Sequence, residues 1–136
     1  MAKDDINDDE VAREKSARYQ KGWEALTAIH GETGMAVMEE MKKTSPEMAA
    51  CVIEYAFADH YARPGLDIKT RELCTIASLV TQGGADRELE AHVTAALKAG
   101  ATKQEITELI LQMTIYAGFP KALHAMRVVM DAIEGA

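Results

Sequence analysis

Cysteine, proline and aromatic residues are scarce in this chain of 136 residues, which has two cysteines, three prolines and 5% aromatic residues. Cys51 and Cys74 lie far apart, and neither has a second cysteine near it. A Cys-x-x-Cys redox pair and a cysteine-based zinc site are therefore both excluded. We expect both thiols to be buried and unreactive. With so little proline, few positions force a helix to end.

Basic charge is also in deficit, since 22 acidic residues face 15 lysines and arginines and the net charge is −7. This balance argues against nucleic-acid or anionic-membrane partners, which need a basic surface. No apolar run approaches the roughly 20 residues that span a bilayer. The first ten residues, MAKDDINDDE, are acidic where a signal peptide would be basic. We therefore expect a cytoplasmic protein.

The residues that are abundant, among them Ala, Leu, Met, Glu and Lys, favour helix, and β-branched alternation is rare. The sequence predicts an all-α fold, a single-domain helical bundle of about six to seven helices over residues 1–136, with residues 1–7 mobile. The first predicted helix runs near Asp8 to Ile29 and is ended by Gly31 and Gly34, and a short helix with Val37, Met38 and Met41 follows it. A third helix begins after Ser45 and Pro46, and a fourth, capped by Asp67, runs from Ile68 to about Gln82. The fifth covers Asp86–Lys98, the sixth opens with the capping box TKQE, and the last begins at Pro120.

The sixth predicted helix is apolar on more than one face. Ile106, Ile110 and Met113 share one side, while Leu111 and Ile115 lie on the other. A helix that is apolar on most sides must be buried on most sides. In a domain this small, the second face indicates contact between subunits.

Two ionisable residues lie on or beside apolar helix faces in the fourth and fifth predicted helices. Glu72 borders the stripe of Ile76, and His92 lies within the stripe that begins at Leu89. The Gly83-Gly84 break makes the two helices antiparallel neighbours, so Glu72 and His92 can meet. Such a contact is either a structural pair or an acid–base pair, because a carboxylate fixes the tautomer of an imidazole and favours its use near neutral pH.

Cations near this position could hold an anionic ligand. Arg63, Arg71 and Lys69 could bind a carboxylate, or could be solvated charges at helix ends. His60 precedes Arg63 and could face the same pocket, and Tyr116 could point into it or bond a backbone carbonyl. A metal site of His60, Glu72 and His92 is disfavoured, because these residues lack metal-ligand spacing.

Several linked motifs then resemble one known family. They are Arg-Pro-Gly-Leu-Asp, Thr-Arg-Glu-Leu, Glu-Leu-x-x-His, Ala-Leu-x-x-Gly-x-Thr-x-x-Glu-Ile and Tyr-x-Gly-Phe-Pro, within about Tyr55 to Met126. Together they resemble the carboxymuconolactone decarboxylase family, which shares its helical fold with alkylhydroperoxidase D. Members of the peroxidase branch carry Cys-x-x-Cys-x-x-x-His. Here His92 matches the histidine, but Ala85 and Glu88 stand at the cysteine positions, so the resemblance is to the decarboxylase branch. Ala58 also stands where the family tends to have glycine.

The resemblance implies decarboxylation of a small anionic lactone such as 4-carboxymuconolactone, with no metal and no organic cofactor, by a homotrimer or homohexamer. It implies that His92 is the general acid, oriented and tuned by Glu72, and that Arg71 and Arg63, together with His60 and Tyr116, bind the substrate. Two alternatives remain open. One is a thiol-dependent peroxidase or reductase of the alkylhydroperoxidase D type that uses Cys74, and the other is a non-catalytic oligomeric binding protein.

Overall fold

The structure is a computed structural model that describes residues 8–136, so the predicted mobility of residues 1–7 lies outside the described residues. Every regular element within residues 8–136 is helical, which confirms the all-α prediction. The elements are α1 (Asp8–Glu14), α2 (Ala17–Thr44), α3 (Pro46–Ala50), a π-helix (Cys51–Tyr61), α4 (Ile68–Gln82), α5 (Asp86–Lys98), α6 (Lys103–Tyr116) and α7 (Phe119–Glu134). Among the helices of this part of the chain, none has the length and apolar character needed to cross a bilayer.

The chain divides into two compact units, one ending at Pro64 and the other running Gly65–Ala136. The first contains α1, α2, α3 and the π-helix, and the second contains α4 to α7. That residues 1–136 act as a single domain stays a prediction.

The beginning of the first unit differs from the predicted helix over Asp8 to Ile29. Helix α1 ends at Glu14, and α2 starts afresh after Ser16, whose side chain accepts a hydrogen bond from the backbone N–H of Tyr19 at 3.2 Å. A serine in this position satisfies one of the open N–H groups of the first turn. The sequence pattern did not reveal this cap, because the apolar spacing continues across it.

The predicted break at Gly31 is present as a kink, and the helix continues beyond it to Thr44. Gly31 has φ 62° and ψ −152°, a conformation that only glycine adopts without strain. The prediction that Gly34 also ends the helix is wrong. Residues after the kink return to helical geometry, so the predicted short helix is the second half of α2.

A long π-helix follows α3, whose predicted N-cap is confirmed by the Ser45 hydroxyl accepting from Met48 N at 3.3 Å. The wider hydrogen bonding of the π-helix is seen at its end, where Ala62 N donates to Phe57 O at 3.0 Å, five residues back. Such helices are uncommon and usually limited to one turn. The sequence predicted a helix here and gave no indication of its type.

Close packing holds α2 against the π-helix in the first unit. A Cβ atom at Gly22 would lie 1.9 Å from the carbonyl oxygen of Ile53, so only glycine fits. Beside this contact, the guanidinium of Arg18 donates two hydrogen bonds to the carboxylate of Asp59, one of them from Nε at 3.1 Å. This two-point pairing links α2 to the π-helix at the surface of the unit.

The second unit encloses a continuous apolar core. Its largest fully buried apolar side chains are Ile76, Val93, Ile106, Ile110 and Val129. The predicted caps are confirmed, because Asp67 accepts from Thr70 N at 2.8 Å and Thr102 and Glu105 form the reciprocal capping box. These caps fix where α4 and α6 begin.

Candidate active site

The Glu72–His92 pair is built by α4, α5 and the turn that joins them. Gly83 and Gly84 both have positive φ values, 73° and 75°, which reverse the chain within three residues. Helix α5 therefore returns along α4, and Glu72 in the second turn of α4 reaches His92 at the middle of α5. The glycines set this register because other residues rarely adopt such φ values.

The two side chains meet at short distance, as Nδ1 of His92 lies 2.6 Å from Oε2 of Glu72. The Glu72 side chain is completely buried, whereas 21% of the His92 side chain is exposed. Among the described residues, Glu72 is the one charged side chain that is buried. A buried carboxylate is expensive unless a hydrogen-bond donor or positive charge compensates for it, and His92 is such a donor.

The contact with Glu72 determines which nitrogen of the His92 ring can exchange a proton with another molecule. Since a carboxylate oxygen accepts hydrogen bonds, Nδ1 of His92 carries the proton that is shared with Glu72. Nε2 is then the nitrogen through which the ring can accept or deliver a proton. A histidine that is held by a buried acid and partly open to solvent has the geometry of a general acid or base. The catalytic role itself stays a prediction.

The cations predicted near the pair have different surroundings. Arg71 is half-buried on α4, next to Glu72 in sequence. Lys69 donates from Nζ to Oε1 of Glu105 at 2.8 Å and so ties α4 to α6. Because Oε2 of Glu105 also accepts from Thr102 N at 2.8 Å, Lys69 belongs to a structural cluster. The anion-binding roles predicted for Lys69 and Arg71 stay predictions.

The remaining predicted site residues lie at exposed positions. His60 belongs to the first unit, where its Nδ1 donates to Tyr55 O at 2.6 Å and its ring meets the Tyr55 ring edge-on at 4.5 Å between centroids. Arg63 is exposed just after the π-helix, and Tyr116 is 73% exposed at the end of α6. Their participation in substrate binding stays a prediction.

Both cysteines are exposed and unpaired, so the prediction of buried thiols is wrong. Cys51 begins the π-helix and Cys74 lies on α4. The positions at which the peroxidase branch has its cysteines fall at the start of α5, where Ala85 is the N-cap and Glu88 is in the first turn. Neither residue offers a thiol.

Sequence reasoning missed a second histidine–carboxylate contact in the same unit. Nε2 of His124 on α7 lies 3.0 Å from both carboxylate oxygens of Asp86 at the start of α5. The two residues are 38 positions apart, and no spacing rule connects them. Only the packing of α5 against α7 brings them together.

Comparison with known proteins assigns the chain to one family. Residues 46–131 match the family model described as "Carboxymuconolactone decarboxylase family". The chain belongs to the carboxymuconolactone decarboxylase family. This family assignment covers α3, the π-helix and most of the second unit, and therefore includes Glu72 and His92.

Three relatives illustrate the range of the family. The chain is 34% identical over 118 residues to 4-carboxymuconolactone decarboxylase of Acinetobacter baylyi, covering 86% of this chain and 87% of that protein. It is 38% identical over 110 residues to an uncharacterized 15.0 kDa protein in the nqo9-nqo10 intergenic region of Paracoccus denitrificans, covering 80% and 82%. It is 37% identical over 83 residues to nitrosuccinic acid decarboxylase of Metarhizium robertsii, covering 61% and 57%. Two of these three relatives are named as decarboxylases.

Proposed function

We propose that this member of the carboxymuconolactone decarboxylase family catalyses cofactor-independent decarboxylation of a small anionic acid, with 4-carboxymuconolactone as the first substrate to test. The observation that supports the proposal most strongly is the 2.6 Å contact between His92 and the fully buried Glu72. The names of the Acinetobacter and Metarhizium relatives support the reaction type.

The substrates in those two names share a chemical property. When 4-carboxymuconolactone loses carbon dioxide, the electron pair of the broken bond spreads through the ring double bond to the lactone carbonyl oxygen. When nitrosuccinic acid loses the carboxyl group beside its nitro group, the pair moves to the nitro oxygens. Each substrate keeps another carboxylate and must then gain a proton at carbon. The protein must therefore hold a carboxylate, stabilise a developing oxyanion and supply a proton.

In our proposal, named residues of this chain supply the proton and hold the carboxylate. His92 delivers the proton from Nε2, while Glu72 orients the ring and compensates its positive charge. Arg71 and Arg63 bind the carboxylate that is retained, because a guanidinium offers a fork of donors that fits a carboxylate. His60 and Tyr116 complete the substrate contacts.

Turnover of synthetic 4-carboxymuconolactone by His92→Asn tests the proposal. A positioned general acid contributes about 10² to 10⁴ in rate, so kcat should fall by that range. Thr94→Ala is the matched control, because Thr94 lies exposed on the same helix and its hydroxyl bonds only Glu90 O among the contacts resolved for it. The control should retain full activity. If His92→Asn stays within a factor of three of the parent, His92 is not the acid.

The same preparation separates the two alternatives. A thiol peroxidase would consume hydrogen peroxide with a dithiol reductant and lose that activity in Cys74→Ser, which is informative because the Cys74 thiol is exposed. A binding protein would retain the lactone without releasing carbon dioxide. Either result would replace the decarboxylase proposal.

We also propose that the protein is a homotrimer or homohexamer. Five large apolar side chains of the second unit, which we call the α6–α7 patch, are more than half exposed: Leu111, Ile115, Tyr116, Phe119 and Leu123. They occupy the end of α6 and the first turns of α7. Where exposed apolar side chains form a contiguous patch, the patch usually marks a contact with another protein.

A further inference from the structure

A cavity of about 240 Å³ opens at the turn between α4 and α5, beside the first turns of α7. Its floor is apolar, since Val80, Leu89 and Ala125 all line it and are each at most 3% exposed. Its rim carries three charged or ionisable side chains, those of Asp86, Lys121 and His124. None of these residues has a role in the proposed decarboxylation.

The cavity is separate from the Glu72–His92 pair. Along α5, Asp86 precedes His92 by six residues, which corresponds to about 9 Å at the rise of an α-helix. Neither Glu72 nor His92 lines the cavity. Leu89, which also lines the cavity, precedes His92 by three residues, about 4.5 Å along α5, so a molecule bound there would lie on the N-terminal side of the candidate acid and within about one helical turn of it.

Asp86, at the rim of the cavity, already has a hydrogen-bond partner. Both oxygens of Asp86 lie 3.0 Å from Nε2 of His124, which donates its N–H to them. This contact directs both carboxylate oxygens toward His124.

Lys121 is the lysine that lines the cavity. Its stem passes Gly83, where a Cβ would be 3.6 Å from Lys121 Cε, and its ammonium donates one hydrogen bond to Thr81 O at 2.8 Å. Because an ammonium has three N–H donors, this bond fixes its position and leaves donors for an acceptor in the cavity.

Lys121 lies between two helix ends, because it is near the start of α7 and its ammonium bonds the carbonyl of Thr81, the penultimate residue of α4. It lies in the first turn of α7, which contains no acidic residue. A helix N-terminus carries a partial positive charge, so a cation there is repelled and an anion is attracted. The Thr81 carbonyl at the end of α4 offsets this repulsion, and a carboxylate bound beside Lys121 would in addition be attracted by the N-terminus of α7.

We propose that this cavity is a second ligand site, which binds a small carboxylic acid with an apolar body. The carboxylate pairs with Lys121, and the apolar body lies against Val80, Leu89 and Ala125. A cavity of about 150 Å³ holds benzene, so 240 Å³ accommodates about ten non-hydrogen atoms. An aromatic monocarboxylate such as benzoate is of this size.

Ligand-observed ¹⁹F NMR with 4-fluorobenzoate and the intact chain tests the site. We expect a dissociation constant of about 1 mM, as is usual for so small a ligand. The neutral 4-fluorobenzamide should bind about tenfold more weakly, because it loses the charge-assisted hydrogen bond. Acetate binding, measured by the displacement of 4-fluorobenzoate, should also be about tenfold weaker, because acetate lacks the apolar body.

Protein variants test whether 4-fluorobenzoate binds in this cavity. Lys121→Gln should weaken 4-fluorobenzoate binding about tenfold, whereas Lys98→Gln, an exposed lysine at the far end of α5, should leave it within about twofold. His92→Ala should also leave it within about twofold, which separates this site from the proposed active site. The proposal is overturned by no binding at 10 mM ligand, by equal affinity in Lys121→Gln, by benzamide or acetate matching the benzoate, or by loss of binding in His92→Ala.

Discussion

Nδ1 of His92 and Oε2 of Glu72 lie 2.6 Å apart although 20 residues separate them in sequence. The carboxylate has no solvent exposure, so in the proposed reaction it acts through the imidazole that it contacts. Glu72 is therefore a positioning residue in the proposed reaction. The consequences of changing it differ from those of changing a residue that touches the substrate.

Glu72→Gln keeps the size of the side chain and removes its charge. We expect kcat for 4-carboxymuconolactone to fall at least about tenfold, because the imidazolium loses its compensating charge and its fixed tautomer. KM should change by less than about threefold, since Glu72 does not contact the substrate. Steady-state kinetics measure both constants. An effect on KM alone would contradict the positioning role.

The Lys69–Glu105 pair predicts an acid-sensitive contribution to stability. The pKa of Glu105 lies below its usual value of 4.5, chiefly because of the hydrogen bond from Lys69 and secondly because of the hydrogen bond from Thr102 N. A carboxyl group whose pKa is lowered on folding stabilises the fold above its unfolded pKa, and this contribution is lost as the pH falls through the folded pKa. The difference in Tm between the parent and Glu105→Gln should therefore be constant above about pH 5.5 and shrink below it.

Thermal unfolding followed by circular dichroism from pH 7 to pH 3 measures this difference. Glu108→Gln is the matched control, because Glu108 is exposed on the same helix. The difference in Tm between the parent and Glu108→Gln should be small and should not shrink as the pH falls. A Glu105→Gln difference that persists unchanged to pH 3 would contradict the assignment.

Gly22→Ala should destabilise the protein. The new Cβ would be 1.9 Å from Ile53 O and 2.7 Å from Ile53 C, and backbone atoms cannot move aside as a side chain can. Alanine favours a helix interior by about 1 kcal/mol over glycine, but overpacking against backbone outweighs this gain, and we expect a net loss of about 2–3 kcal/mol in the free energy of unfolding. Gly65→Ala meets no atom within 4 Å and serves as the control in urea denaturation. Equal midpoints for the two variants would show that α2 and the π-helix can separate without penalty.

Ile115→Lys should disrupt the proposed oligomer. Ile115 is 74% exposed, the highest value in the α6–α7 patch, and a lysine there would place a charge in the contact between subunits. Light scattering after size-exclusion chromatography should give three or six chain masses for the parent and less for the variant. Glu108→Lys, which changes charge on α6 outside the patch, should keep the parent mass. A monomeric parent would exclude the oligomer.

Helix caps could be predicted because they depend on a few neighbouring residues. Asp67, Ser45 and the Thr102–Glu105 box each form the hydrogen bonds that their spacing implies. The meeting of Glu72 with His92 could be anticipated for a similar reason, because a glycine turn fixes the register of the two helices it joins.

Contacts between distant segments could not be predicted in the same way. The bonds from Lys69 to Glu105 and from His124 to Asp86 depend on how α4, α5, α6 and α7 pack, and no local pattern encodes them. The apolar spacing on α6 correctly indicated a second apolar face, which the structure leaves exposed at Leu111 and Ile115. What covers that face depends on other molecules.

In the π-helix, the directions of the side chains depend on the exact number of residues between Cys51 and Tyr61. Deleting one residue there would favour ordinary α-helical hydrogen bonding, and every later side chain in the segment would turn by about 100°. Asp59 would then leave Arg18, and His60 would present its ring in another direction. Mutational scans that only exchange amino acids would miss this dependence, whereas single-codon deletions would reveal it.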